Sequence, residues 1–234
     1  VKSRLHKELK EMERLLVIFP HPDDEAFGAA GTIALTKQSG GYVAYACTTL
    51  GEMGRNMGNP PFANRETLPK IRKEELTEVG EILELDELRM VGLRDKTLEF
   101  LDDEVYADVI GNIIDEIKPT TIITHYPGYA VHPDHNATGA ATVRAVKRLR
   151  PEDRPRLLCH AFSKDRLEAI GHPDVVHDVS SVKDIKIAAI KAHRSQTQGM
   201  LGAMDFNNIE QSPEILKMLA REEFWTYSFD DEGK

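Results

Sequence analysis

The sequence predicts an α/β fold: a Rossmann-like three-layer arrangement with a mainly parallel sheet and a site at the carboxyl ends of its strands. Three observations carry this expectation. Short apolar runs alternate with segments of helical periodicity through the first 150 residues, which implies a parallel sheet covered on both faces. The chain has 234 residues, 41% of them hydrophobic, enough for one substantial core. Two loops that follow apolar runs carry clustered histidines and aspartates: His21-Pro22-Asp23-Asp24-Glu25 after 15–19, and His132-Pro133-Asp134-His135 after 121–124. Ligands of open α/β sheets bind beyond strand carboxyl ends, so these loops can meet although more than a hundred residues separate them.

Residues 15–19 read as the first strand. Residues 24–39 read as a helix whose small residues, among them Ala26, Gly28, Ala30 and Gly31, permit close packing on the sheet. A second strand covers 42–49. Gly51, Gly54, Gly58, Asn59, Pro60 and Pro61 make 50–64 a loop. A helix at about 66–84 places Ile71, Leu76, Val79, Ile82 and Leu83 at helical spacing. A short strand near 87–91 leads into Gly92-Leu93-Arg94-Asp95. The helix at 103–117 stops ahead of Pro119, because a proline pushes the residue before it out of the helical region. Strand 120–125, loop 126–132 and helix 134–149 come next. Strands at 156–162 and 174–179 and helices at 181–194 and 213–224 complete the chain. No repeat, low-complexity tract or linker divides it. The expectation is a single domain over 1–234, with 1–13 as an N-terminal extension.

The net charge of −9 and the absence of a lysine- or arginine-rich stripe argue against binding along a nucleic-acid backbone. No apolar stretch approaches the roughly 20 residues of a membrane span, and Val1–Glu13 is charged and lacks a signal-peptide core. Cys47 and Cys159 stand far apart without CxxC spacing, as reduced cysteines of a cytoplasmic protein do. Cys47 lies in the second apolar run and reads as a buried strand residue rather than a nucleophile.

The two histidine–aspartate loops suit a divalent metal. Two imidazoles and one carboxylate make a three-ligand site with a position open for water, and such a metal lowers the pKa of its water to about 7. His21 and Asp24 lie three apart across a turn and can reach one ion. Asp23 and Asp24 are adjacent and point in different directions, so one can ligate while the other serves as general base. Of His132 and His135, one can ligate and the other face the reacting centre. The bland alternative is that Asp23, Asp24 and Asp134 merely cap the helices that follow. Two such loops at two strand ends favour the metal. His6, His160, His172 and His177 are scattered and read as surface or structural; His125 is near enough to the second loop to stay open. A non-catalytic nucleotide-binding Rossmann module is the rival of a different class. The chain has neither GxGxxG nor GxxxxGK[ST], which argues against it.

These residues resemble the PIG-L/LmbE-like family of zinc-dependent N-acetylglucosamine deacetylases, whose HPDDE and HPDH motifs both stand here in full. The similarity runs from Leu15 onward and includes Lys186 and His193-Arg194-Ser195-Gln196. With Thr49-Leu50-Gly51-Glu52-Met53-Gly54-Arg55, the pattern looks most like the bacillithiol-biosynthesis branch, which removes acetate from N-acetylglucosaminyl malate. The resemblance implies a Zn²⁺ held by His21, Asp24 and His135, a donor set that accepts Fe²⁺ as well, with Asp23 as general base, and also acid if one residue serves both steps, and His132 stabilising the oxyanion or protonating the leaving amine. It implies that Asp134 orients a histidine and that His193 supports the site from behind. Arg72, Asp95 and Glu52 would contact the amino sugar. Arg55, or Arg65, would meet the malate carboxylates, because arginine pairs with carboxylates through two hydrogen bonds. Related deacetylases carry a tyrosine two residues before HPDH; this chain has Ala130 there, and Tyr126 and Tyr129 are the nearest candidates. The resemblance further implies a homo-oligomer, a trimer or hexamer. The remaining alternative is a deacetylase or amidase on another amino-sugar or thiol conjugate.

Overall fold

A computed structural model describes residues 13–203 and 213–229. The N-terminal extension through Met12 and residues 204–208 of the 199–208 segment lie outside the described residues. The strands are β1 (Arg14–Phe19), β2 (Tyr42–Cys47), β3 (Glu87–Met90), β4 (Thr121–His125), β5 (Arg156–His160), β6 (Val175–Asp178) and β7 (Arg221–Thr226). They form one seven-stranded sheet in the order β3-β2-β1-β4-β5-β7-β6. Only β7 runs against the rest, antiparallel to both β5 and β6. The helices are α1 (Asp24–Gly28), α2 (Ala30–Gln38), α3 (Leu68–Ile82), α4 (Asp103–Ile117), α5 (Pro133–Lys147), α6 (Arg166–Ile170), α7 (Lys183–Ala192), α8 (Arg194–Ala203) and α9 (Pro213–Ala220).

Successive side chains of a strand face opposite sides of the sheet, so a wholly apolar strand needs cover on both. Leu15, Val17 and Phe19 of β1 join Val43, Tyr45 and Cys47 of β2 in one core, closed by Ile33 of α2, Leu76 and Val79 of α3 and Ile190 of α7. Leu16 and Ile18 join Ala44 and Ala46 in the other, closed by Ile110 and Ile114 of α4 and Val146 of α5. Local chemistry sets the helix ends. The Asp102 carboxylate accepts from the N–H groups of Glu104 and Val105 to start α4, which ends at Lys118 in the left-handed region (φ 51°) before Pro119. Pro133 opens α5, where its missing N–H costs nothing.

The strand order explains where the site lies. From β1 the chain passes outward to β2 and β3, then returns to β4 on the other flank of β1. The loops after β1 and β4 diverge and leave a crevice at the strand carboxyl ends. Close packing carries the second motif there: a side chain on Gly139 of α5 would place its Cβ 2.2 Å from the His125 carbonyl oxygen at the end of β4.

Tertiary contacts override the sequence expectation in three places. The helix expected at 24–39 breaks at Ala29 (φ −146°, ψ −4°). There the Glu222 carboxylate accepts from the N–H groups of Gly31 and Thr32 and from the Thr32 hydroxyl, giving α2 a new start from outside its own segment. The helix expected at 181–194 stops at Ala192 and restarts as α8 after His193, whose ψ of 53° is not helical. The helix expected at 213–224 ends at Ala220, and 221–226 becomes β7. The flank of β5 would otherwise expose unpaired backbone groups, and β7 covers it while burying Glu222, Phe224 and Trp225.

Candidate metal and active site

Three electron-pair donors converge in the crevice. His21 Nδ1 lies 3.2 Å from His135 Nε2, His135 Nε2 lies 3.2 Å from Asp24 Oδ1, and His21 Nδ1 lies 3.5 Å from Asp24 Oδ2. Each ring is fixed by its other nitrogen. His21 Nε2 meets Asp95 Oδ1 at 3.1 Å and Asp134 Oδ2 at 3.3 Å, while His135 Nδ1 meets the Ala130 carbonyl at 3.0 Å. Oxygen acceptors on the outer nitrogens hold the ring protons there and leave the inner nitrogens as donors of lone pairs. Ligands about 2.0–2.1 Å from a tetrahedral ion stand roughly 3.3–3.4 Å apart, so this triangle fits a zinc-sized divalent ion.

The electrostatics agree. Burial alone would lower the pKa of His21, but hydrogen bonds to Asp134, Asp24 and Asp95 outweigh it and the net shift is well upward. His135 follows the same pattern through Asp24. Burial would raise Asp24, yet the facing histidines hold it well below the usual carboxylate range. The cluster therefore draws in positive charge.

Asp23 sits beside this triangle in a strained backbone conformation, φ 117°, worth roughly 1–3 kcal/mol for a residue with a side chain. Its Oδ2 lies 3.2 Å from Arg72 Nη2. Burial, and after it the like charge of Asp24, pushes the Asp23 carboxyl up to about 6 against the opposing pull of Arg72. His132 caps α5 with its ring: Nδ1 accepts from Asp134 N–H at 3.1 Å. That puts the proton of the neutral imidazole on Nε2. Burial, then the charges of His21 and His135, lower its pKa and favour this neutral form.

His21, Asp23, Asp24, Arg55, Arg72, Asp95, His132 and His135 line one cavity of about 290 Å³, together with Met53, Gly54, Lys96 and Gln196. A larger groove of about 490 Å³ lies along α5 beside Leu98 and Pro133; of its charged groups, Asp103 and Arg144 pair with each other. Arg72 is buried; it donates to the carbonyls of Gly51 and Pro22 as well as pairing with Asp23. Gly51 (φ 61°) is required for this, since a Cβ there would fall 1.8 Å from Arg72 Nη1. Asp95, expected at the sugar, has Oδ1 on His21 and Oδ2 accepting from Met53 N–H. Glu52 accepts from Asp95 N–H at 3.1 Å. Arg55 is exposed at the cavity rim, and Arg65 is exposed with its guanidinium against the Met53 sulfur. Asp134 is fully buried and accepts from Lys96 N–H and Leu98 N–H besides facing His21. The rings of Tyr126 and Tyr129 pack edge-to-face on each other and do not line this cavity.

Several participants escaped sequence reasoning. Fully buried Glu25 accepts from Asp23 N–H and from His193 Nε2–H. Glu75 accepts from both the backbone N–H and the hydroxyl of Ser195, and Gln196 Nε2 donates to the Arg55 carbonyl, so the start of α8 holds the 51–59 loop. His125 is buried, stacks on His135 at 4.1 Å, and has its Nε2 3.7 Å from Asp24 Oδ2. Burial pushes its pKa down to about 3. Its nearness to the second loop kept it open in the sequence, and its place at the carboxyl end of β4 brings it to the site.

The chain is similar to several known proteins. A protein of Bacillus subtilis (strain 168) described as probable N-acetyl-alpha-D-glucosaminyl L-malate deacetylase 2 is 52% identical over 219 residues, 94% of this chain and 99% of its own. A Bacillus anthracis protein of the same description is 42% identical over 97% of this chain and all of its own. The solved N,N'-diacetylchitobiose deacetylase of Pyrococcus horikoshii shares the fold, with a TM-score of 0.69 at 23% identity over 95% of this chain and 86% of that one. The segment that holds both motif loops, residues 16–146, matches the PIG-L family, described as GlcNAc-PI de-N-acetylase, and the chain belongs to that family.

Proposed function

We propose that this chain hydrolyses the N-acetyl group of N-acetylglucosaminyl malate, releasing acetate and the free amine, with zinc as its metal. The observation that carries the reading is the convergence of His21, Asp24 and His135 beside a raised-pKa Asp23 in one crevice. The substrate rests on the 52% identical relative and its printed description. The same donor set accepts ferrous iron.

A divalent cation held by His21, Asp24 and His135 would supply Lewis acidity, acidifying water and polarising the acetyl carbonyl. The remaining work falls to the chain itself. The Asp23 carboxylate accepts the proton of the attacking water. His132 Nε2–H donates a hydrogen bond to the carbonyl oxygen as negative charge builds there, and Asp23 passes the proton it took from water to the nitrogen of the leaving amine. Asp95 and Asp134 keep the His21 ring turned. Arg72 steadies the charge on Asp23 and pins the Gly51 loop; a contact from Arg72, Asp95 or Glu52 to a sugar hydroxyl would add to these tasks. Arg55 at the rim is the candidate for the malate carboxylates. Buried, unpaired Cys47 and Cys159 suit a reducing cytoplasm. No helix among the described residues is long and apolar enough to cross a membrane.

The test is release of free amine from N-acetylglucosaminyl malate, with and without metal chelation, beside free N-acetylglucosamine. Chelator-sensitive release that favours the malate conjugate is the expected result. No release from either by protein shown to contain metal refutes the substrate assignment.

A further inference from the structure

We propose that Glu25 and His193 form a positioning dyad that holds Asp23 in its working orientation, an inference that rests on Asp23 being the general base. Asp23 is the first residue after the motif proline and adopts φ 117°, a region that residues with a Cβ rarely occupy. Its own side chain makes no cap hydrogen bond to α1 and turns instead to Arg72. The backbone N–H of Asp23 instead donates to Glu25 Oε2 at 3.1 Å. This resembles the back-reaching acid of a helix capping box, except that Glu25 stands two residues on rather than three. The second Glu25 oxygen is taken by His193 Nε2–H, and both side chains are completely buried.

His193 is itself anchored. It occupies the break between α7 and α8, and its carbonyl accepts from the N–H groups of Gln196 and Thr197, each at 2.9 Å. The Thr197 hydroxyl bonds the same carbonyl and that of Ile190. A segment 170 residues away in sequence thus fixes the turn that aims the base, and the same segment holds the 51–59 loop, the Ser195 carbonyl accepting from Met57 N–H and Gln196 Nε2 donating to the Arg55 carbonyl. Neither Glu25 nor His193 lines the cavity, so the dyad acts through Asp23 and not on substrate.

The experiment compares His193→Leu, His193→Gln, Glu25→Gln and Asp23→Asn with wild type, each at known metal content and folded fraction. Misplacing a reacting group by about 1 Å costs on the order of 100-fold, so His193→Leu should lower kcat by about that factor, with KM within about threefold and metal content unchanged. His193→Gln keeps a donor for Glu25 and should recover about tenfold or more of the loss, a rescue that a general loss of stability would not produce. The double variant Asp23→Asn/His193→Leu should be no slower than Asp23→Asn, because groups acting as one unit are not additive. A kcat for His193→Leu within about twofold of wild type per folded, metal-loaded chain overturns the dyad. If the leucine variant does not fold, Glu25→Gln is read by the same criterion. An active Asp23→Asn overturns the base assignment beneath it, whereas an inactive Asp23→Asn with an undiminished His193→Leu overturns the dyad alone.

Discussion

Replacing Arg72 by methionine should move the acid limb of the pH–rate profile upward. The Arg72 guanidinium lies 3.2 Å from Asp23 Oδ2, is almost wholly buried, and is the chief influence opposing the upward push of burial on that carboxyl. A neighbouring arginine typically lowers a carboxylate pKa by about 1–3 units. Asp23 stands at about 6 with Arg72 in place, so without it the acid limb should lie at roughly 7–9. At pH 7 the ionised fraction would fall from about 0.9 to between about 0.5 and 0.01, a loss of about twofold to ninetyfold in kcat/KM. The sign is fixed by charge: the substitution favours the protonated base, so activity is lost at low pH and recovers toward pH 9. The assay is kcat/KM for amine release from pH 5 to 10 at confirmed metal content. Methionine also leaves the Gly51 and Pro22 carbonyls without their donor, which lowers activity at every pH and cannot move the limb. A folded, metal-loaded variant whose acid limb stays at or below that of wild type refutes the reasoning.

Two further outcomes follow from the structure. Glu222→Gln leaves the buried Lys186 ammonium without its carboxylate, 2.7 Å away, and should cost about 3–5 kcal/mol in chemical denaturation, most of it recovered in Lys186→Met/Glu222→Gln. The Glu222 pKa is held below its usual value because Lys186 outweighs burial, so its contribution is present above about pH 4.5 and is lost as pH falls; the variant should show a shallower acid-side decline, and a loss under about 1 kcal/mol refutes the role. Arg55→Ala should raise KM more for the malate conjugate than for free N-acetylglucosamine; equal effects on the two remove Arg55 from the aglycone site.

The order of apolar runs determined the parallel sheet, because a strand buried on both faces must be apolar at every position. The HPDDE and HPDH loops supplied His21, Asp23, Asp24, His132 and His135, because short spacing at a strand end leaves few arrangements of those side chains. The segment 221–226 was not legible in this way. Its residues continue a helical run, and they became β7 because the flank of β5 needed a partner and Lys186 could neutralise Glu222. Of the supports of the site, the resemblance implied Asp134 on a histidine and His193 behind the site, but not which groups they and the others meet. Arg72 reaches Asp23, Asp95 and Asp134 reach His21, and His193 reaches Glu25 across gaps of 49 to 168 residues. The sequence by itself determined which atoms could take a metal and a proton, since that is a property of residue type and local spacing. Only the tertiary structure decided which way His21 and Asp23 face, because the His21 ring is turned by Asp95 and Asp134 and the Asp23 carboxylate by Arg72, all on distant elements.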